Sequence, residues 1–313
     1  MTAGGAAIGF GFVALNAGLW ISGLGVAAAL WAVLAPLVGR KSVHPAIALL
    51  ALYPYIASVA VLAINPSGGL TLDRYILAAD GSFGFLPGFA TAQFMQSHSA
   101  IRLLCEIFYF ALPVAVASLL HTTSSRRLML LCGLLAVSAL AAYIAFPAVG
   151  SRVAFAERFP NDPPVVSASF GTPVFEPGGI QRNFMPSLHA GWGIALLLVA
   201  WPLGKGWRAA ILIYLVPMLF FALARHYLCD IIVAVPWTFA CWSVITKQWK
   251  RAAAYLAMAA GWMLLIRFGL PALYATPVVP WVLAALTLAA PSAANRYVAR
   301  DLASEHRNAG CRT

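Results

Sequence analysis

The sequence predicts an all-α protein, a polytopic bundle of about nine transmembrane helices. Of its 313 residues, 62% are hydrophobic and 9% are charged, whereas a typical soluble domain carries about 25% charged residues. Apolar runs of about 20 residues, the length at which a helix spans a bilayer, follow one another along most of the chain. No segment has the composition of a soluble domain, so residues 1–313 are predicted to form a single membrane domain.

The predicted spans are bounded by charged residues and by proline and glycine, which interrupt apolar helices. They lie at 12–38, 45–64, 100–120, 128–148, 187–203, 209–225, 227–246, 252–269 and 272–290. The two long connections, 65–99 and 149–186, fall on the same side of the membrane because two predicted spans separate them. Part of the first connection, 70–95, is predicted to lie in the membrane interface as an amphipathic element. The alternative for this segment is an ordered loop.

The distribution of basic residues predicts the orientation of the bundle. If the N-terminus is outside, thirteen of the twenty Lys and Arg residues lie on the cytoplasmic side, including all four lysines. Cytoplasmic loops carry an excess of Lys and Arg, so we expect the N-terminus outside and the C-terminus inside. Both long connections then lie at the non-cytoplasmic face. The basic residues on that face are all arginines: Arg74, Arg102, Arg152, Arg158, Arg182, Arg225 and Arg267.

The net charge of +11 does not predict a nucleic-acid partner. Basic residues that flank membrane spans face anionic lipid headgroups, and no basic patch interleaved with aromatic residues is present. The five cysteines have neither metal-ligand spacing nor the pattern of a disulfide framework, and we expect them to be small buried residues: Cys105, Cys132, Cys229, Cys241 and Cys311.

Two polar clusters interrupt the apolar runs and are the candidate functional residues. One is Arg-Asn-Phe-Met-Pro-Ser-Leu-His at 182–189, and the other is Arg-His-Tyr-Leu-Cys-Asp at 225–230. Ionisable residues at membrane depth are costly and by default mark function. The fifth predicted span leaves the outer face and the sixth returns to it, so we expect both clusters at one membrane surface.

The second cluster has the residues of a nucleophile and its orienting group. His226 and Asp230 are spaced i, i+4 and would share one face of a helix. A carboxylate that holds one imidazole nitrogen raises the nucleophilicity of the other. His189 could then protonate the leaving oxygen. This pattern predicts phosphoryl transfer without a metal, through a phosphohistidine.

The first cluster has the features of a phosphate-binding helix start. Pro186 can begin a helix, which would leave the backbone N–H groups of Ser187 and Leu188 free at the positive end of the helix dipole. Arginine is preferred where phosphate is bound bidentately. Simple snorkelling of the arginines to the interface is the alternative. A zinc site formed by the two histidines and the aspartate is disfavoured because arginines surround it.

The two histidine motifs resemble those of the type 2 phosphatidic acid phosphatase superfamily. Met-Pro-Ser-Leu-His at 185–189 is closest to the branch that contains inositol phosphorylceramide synthases, whose motif reads Pro-Ser-Leu-His. The segments 73–80 and 143–150 are also similar to that branch. The resemblance implies a six-helix phosphatase-like core at about 70–246, and it leaves 247–313 as additional spans and a basic cytoplasmic tail.

The resemblance also implies a role for each matched residue. His226 would be the nucleophile, Asp230 would orient it and His189 would be the general acid. The phosphate oxygens would be held by Ser187 and nearby arginines, namely Arg152, Arg182 and Arg225. The sequence departs from the superfamily in two places, since Lys-x6-Arg-Pro is absent from 143–152 and Leu219-Phe220 replaces the Ser-Arg pair of the third motif.

These observations predict a membrane lipid phosphatase or phosphotransferase that works at the non-cytoplasmic face without a cofactor. One alternative is a headgroup phosphotransferase of the inositol phosphorylceramide synthase type, which would need a lipid alcohol as acceptor. A lipid transporter or scramblase is a different class, disfavoured because the charges cluster at one face rather than at the midplane between inverted repeats. We expect the protein in a bacterial inner membrane with its site facing the periplasm. The spans after residue 250 carry no motif, and two roles for them remain open: packing within the bundle and formation of a homodimer.

Overall fold

The computed structural model describes residues 69–112, 115–116, 119, 125–176 and 182–290. The predicted spans 12–38 and 45–64 lie outside these residues. Within them the chain is mostly helical, and the two short strands pair antiparallel with Gly69 opposite Glu176. The elements in chain order are β1 Gly69–Thr71, α1 Asp73–Gly81, α2 Pro87–Ser97, α3 Ser99–Phe110, α4 Ser125–Ala145, α5 Ser151–Ala154, β2 Val174–Glu176, α6 Leu188–Ala200, α7 Lys205–Leu223, α8 Leu228–Ile245, α9 Trp249–Phe268, α10 Leu270–Tyr274 and α11 Val278–Ala290.

Four of these helices are long and apolar enough to cross a membrane: α4, α7, α8 and α9. Two further helical stretches are also apolar but shorter, Leu188–Leu203 and Val278–Ala290. The four long helices fit a membrane protein. Large apolar side chains on the outside of the bundle, such as Val216 on α7 and Leu264 on α9, are mostly exposed, as expected for surfaces that contact lipid.

Helix α8 lies at the centre of the bundle and packs against α4, α6 and α9 and against the shorter α1. One apolar cluster joins α8 to α3, α4, α6 and α7, and a second joins it to α1, α9 and α10. The start of α8 is therefore enclosed by other elements. This placement buries the candidate residues that lie there.

The predicted spans have boundaries good to several residues, and helix α7 begins at Lys205, within that range of the predicted 209. The predicted span 272–290 is instead two helices, α10 and α11. The break falls at Pro277, which disfavours helix in the residue before it.

The segment 70–95 is not a loop, and its interfacial placement stays a prediction. It contains α1 and α2, and α1 packs within the bundle with Asp73 and Asp80 almost wholly buried, at 0% and 1% exposure. A carboxylate tolerates burial when hydrogen-bond donors surround it. Both aspartates have such donors, which the sequence did not reveal.

Candidate active site

His226 lies in the tight turn that joins α7 to α8. The end of α7 is closed by the N–H of His226, which donates to the carbonyl of Ala222 at 2.7 Å. Helix α8 begins two residues later at Leu228, with Tyr227 as its N-cap. The His226 imidazole is 6% exposed and packs beside the ring of Phe184, with 4.6 Å between ring centres. The nucleophile candidate is thus held by a short turn between two long helices.

Asp230 lies in the first turn of α8 and faces His226. The predicted contact is present, although His226 precedes the helix and does not share a helical face with Asp230. Its Oδ2 is 3.5 Å from His226 Nδ1 and accepts a hydrogen bond from the N–H of Tyr227 at 3.2 Å. Burial lowers the pKa of His226 well below its ordinary value, and nearby His189 and Arg225 lower it further. The imidazole is therefore neutral at pH 7, the state in which a ring nitrogen is nucleophilic.

His189 lies in the first turn of α6, beside the His226–Asp230 pair. The two imidazole rings are 6.3 Å apart between centres. The start of α6 is also bonded to the first turn of α8, because the N–H of Ser187 donates to the carbonyl of Asp230 at 3.2 Å. The two sequence clusters, predicted to meet at one surface, are in direct contact.

Ser187 is the N-cap of α6, and its Oγ accepts from the N–H of Ala190 at 3.4 Å. Its own N–H is the donor to Asp230 described above. This corrects the expectation that Ser187 offers a free backbone N–H to phosphate. The reason is tertiary, since the first turn of α8 supplies a carbonyl that the sequence of α6 alone does not indicate.

The three candidate arginines lie in different surroundings. Arg225 precedes His226, is half-buried, and its charge acts on both His189 and His226. Arg182 is buried at 5% exposure, with its guanidinium against Gly69 of β1. Arg152 is exposed on α5. Of the three, Arg225 is the one placed directly at the histidine pair.

Tyr109 on α3 is a site residue that the sequence did not indicate. Its hydroxyl lies 3.0 Å from His189 Nδ1, and the two rings stack with centres 4.0 Å apart and 14° between their planes. The side chain is 5% exposed. Nothing in the apolar sequence of α3 distinguishes this tyrosine, because its partner lies 80 residues away.

Asp73 and Asp80 on α1 also contact the turn that carries His226. Asp80 accepts from the N–H groups of Leu228 and Cys229, and Asp73 accepts from the hydroxyl of Tyr227 at 2.8 Å. Burial raises the pKa of Asp80 to about 6, although its backbone donors oppose this shift. Burial likewise raises the pKa of Asp73. The segment 73–80 did carry a sequence signal, since it is part of the resemblance described above.

Among the residues that the structure describes, no group of three or more His, Cys, Asp or Glu side chains is placed to hold a metal ion. The zinc alternative that His189, His226 and Asp230 suggested therefore gains no support from their geometry.

The fold and site are those of a helical, membrane-type protein in which a buried histidine and aspartate lie beside a half-buried histidine. The sequence profile of the PAP2 superfamily matches residues 74–244, more than half of the chain, and the protein belongs to this superfamily. Membership indicates an enzyme with phosphatase-type activity on a phosphorylated substrate. No curated protein and no solved structure matches the chain. The matched region contains both histidines, Asp230, Asp80 and Tyr109.

Proposed function

We propose that the protein is a lipid phosphatase or phosphotransferase that forms a phosphohistidine on His226. The observation that carries this proposal is the contact of His226 with Asp230 and its proximity to His189, within a chain of the PAP2 superfamily. A phosphorylated lipid is the substrate class that suits a site at the ends of α7 and α8, which are long enough to cross a membrane.

In the first step, the imidazole of His226 attacks phosphorus through Nε2, since Nδ1 faces Asp230. The phosphorus–oxygen bond to the lipid breaks, and the leaving oxygen takes a proton from His189. The carboxylate of Asp230 stabilises the positive charge that develops on the ring. The imidazole of His226 is neutral before the step because of its lowered pKa.

In the second step, the phosphorus–nitrogen bond breaks. Water or an alcohol transfers a proton to His189, and its oxygen attacks phosphorus, which regenerates His226. Attack by water completes hydrolysis, whereas attack by a lipid alcohol completes transfer. Arg225 is the best-placed residue to neutralise the phosphate oxygens, and Arg182 and Arg152 remain candidates for the same role. The hydroxyl of Ser187 remains a candidate hydrogen-bond donor to those oxygens.

Hydrolysis and transfer are separated by one experiment. The purified protein is given phosphatidate or a phosphodiester lipid, labelled in the phosphate, with and without a long-chain alcohol or a ceramide. Release of inorganic phosphate from phosphatidate at the same rate in both cases identifies a phosphatase. A labelled lipid product that forms only with an acceptor identifies the headgroup phosphotransferase, which the Pro-Ser-Leu-His motif favours.

We also propose that the site faces the periplasm of a bacterial inner membrane. The excess of Lys and Arg on the opposite side supports this orientation. A cysteine introduced at position 158, in the connection 149–186, should react with a thiol reagent that does not cross membranes when the reagent is added to intact spheroplasts. Arg158 is 54% exposed. The parent protein for this test carries Cys311→Ser, and its four remaining cysteines are buried. Reaction only after permeabilisation would reverse the proposed orientation.

Tyr109→Phe is expected to lower kcat by roughly 3- to 10-fold, the usual value of one buried hydrogen bond. As a general acid His189 is protonated on both ring nitrogens, so its Nδ1–H donates to the Tyr109 oxygen and its Nε2–H remains for the leaving group. Phenylalanine retains the ring stacking and removes only this bond. The measurement is kcat against pH for a lipid phosphate. A kcat and a pH profile identical to wild type would contradict the role of this hydroxyl.

A further inference from the structure

Helix α1 carries two buried carboxylates on one face. Asp73 and Asp80 are seven residues apart, which is two helical turns, and they are 0% and 1% exposed. A buried carboxylate is costly unless hydrogen bonds compensate it. The donors that surround these two belong to residues 149–150 and 227–229. Both carboxylates therefore bind the chain on either side of the candidate site.

Asp80 binds the first two backbone N–H groups of α8. Its Oδ2 accepts from the N–H of Leu228 at 2.7 Å, and its Oδ1 accepts from the N–H of Cys229 at 2.9 Å. The first N–H groups of a helix have no partner within the helix and lie at its positive end. Asp80 thus occupies the anion-binding end of α8 and fixes where this helix begins, two residues after His226.

Asp73 joins the same turn to the connection after α4. Its Oδ1 accepts from the Tyr227 hydroxyl at 2.8 Å and from the N–H of Gly150 at 2.8 Å, and its Oδ2 accepts from the N–H of Val149 at 3.0 Å. Gly150 has a φ of 85°, and a side chain there would overlap the ring of Phe184. Phe184 in turn packs on His226. Asp73 therefore supports the imidazole in two ways, through its bond to Tyr227 and through the contact of Gly150 with Phe184.

Helix α1 is held in turn by the C-terminal helices, which lie beyond the matched residues 74–244. The hydroxyl of Tyr274 on α10 donates to the carbonyl of Ala78 at 2.8 Å. Trp281 on α11 donates to the carbonyl of Phe83 at 3.1 Å, and the two rings meet edge to face at 5.0 Å. These helices thus brace α1 and the residues that follow it.

We propose that Asp73 and Asp80 are positioning residues that hold residues 227–229 so that His226 keeps its place against Asp230 and His189. The proposal rests on the proposed function of His226 as nucleophile. Both carboxylates bind groups of the chain itself, so their assigned role is positioning. A displacement of about 1 Å in a reacting group can lower the rate about 100-fold, so the turn between α7 and α8 needs such an anchor.

The required chemistry is that of a carboxylate and not merely of a polar group of that size. Asp80 faces two N–H donors, and each of its oxygens accepts one of them. In Asp80→Asn, the new NH2 group faces one of these donors, so one hydrogen bond is lost and two donors oppose each other. Asp80→Asn therefore displaces the turn with a minimal change of volume. In Asp73→Asn the new NH2 group opposes the N–H of Val149, and the amide oxygen still accepts from Tyr227.

The test compares purified wild type with Asp80→Asn, Asp73→Asn and Tyr227→Phe in hydrolysis of a labelled lipid phosphate. We expect Asp80→Asn to lower kcat roughly 10- to 100-fold while KM changes less than about 3-fold. Phosphohistidine formation, measured by rapid quench, should slow by the same factor as kcat. The matched control is Asp162→Asn, whose side chain is 75% exposed, and it should leave both constants unchanged.

A double-mutant cycle separates positioning from general loss of structure. A further variant, Asp73→Ala, and Tyr227→Phe each remove one partner of the same hydrogen bond, so their combined loss in kcat should be smaller than the product of the single losses. Tyr227→Phe removes only a hydroxyl, and it remains informative if Asp80→Asn does not fold. A folded Asp80→Asn or Tyr227→Phe protein with wild-type kcat, or with a changed KM alone, would overturn the proposal. Wild-type turnover without any phosphohistidine would instead contradict the proposed function.

Discussion

Replacing His226 with alanine is expected to lower kcat on a lipid phosphate by about 1000-fold or more, since loss of a covalent nucleophile removes the whole two-step route. The imidazole is buried beside Asp230 and is neutral at pH 7, so it is prepared for attack on phosphorus. Alanine leaves no group in the turn that could replace it. Binding of the lipid should change little, because His226 makes its bond to phosphorus only during the reaction.

The measurement follows the labelled phosphate on the protein as well as in solution. Wild-type protein quenched during turnover should carry label that is stable in alkali and lost in acid, as a phosphohistidine is, and His226→Ala should carry none. The matched control is His98→Ala, since His98 is exposed and stacks on Phe94 away from the site. Equal phosphate release by wild type and His226→Ala would disprove the assignment of the nucleophile.

Replacing His189 with alanine is expected to lower kcat by roughly 100- to 10000-fold on a lipid phosphate, which is the usual contribution of a general acid–base group. The alkoxide of a lipid is a poor leaving group and needs the proton from His189. The effect on the first step should nearly vanish with para-nitrophenyl phosphate, because nitrophenolate leaves without a proton. The proximity of His189 to His226 supports this role.

The distinguishing result is a burst. With para-nitrophenyl phosphate, His189→Ala should release about one equivalent of nitrophenol quickly and then turn over slowly, because the second step still lacks its base. The labelled phosphohistidine should accumulate to the same level. An equal loss of rate with both substrates and no burst would show that His189 acts only in binding or folding.

The helices of this protein are more predictable from its sequence than the partners of its site residues are. Four described helices are long and apolar, as composition predicted, because the bilayer length sets a strong local pattern. Their ends were less predictable. Lys205 extends α7 beyond its apolar run, and Pro277 divides the last predicted span, since charge and backbone geometry act at helix ends independently of hydropathy.

The sequence by itself determined the apolar helices, the contact of His226 with Asp230 through their spacing, and the proximity of His189 through the order of spans. Only the tertiary structure revealed the partners of these residues. Tyr109 reaches His189 across 80 residues, and Asp80 reaches Leu228 across 148. Backbone N–H groups are the same in every sequence, so a carboxylate that binds them has no recognisable partner residue. For that reason the sequence of 70–95 predicts an interfacial element or a loop, and it does not indicate that Asp73 and Asp80 bind the turn that carries His226.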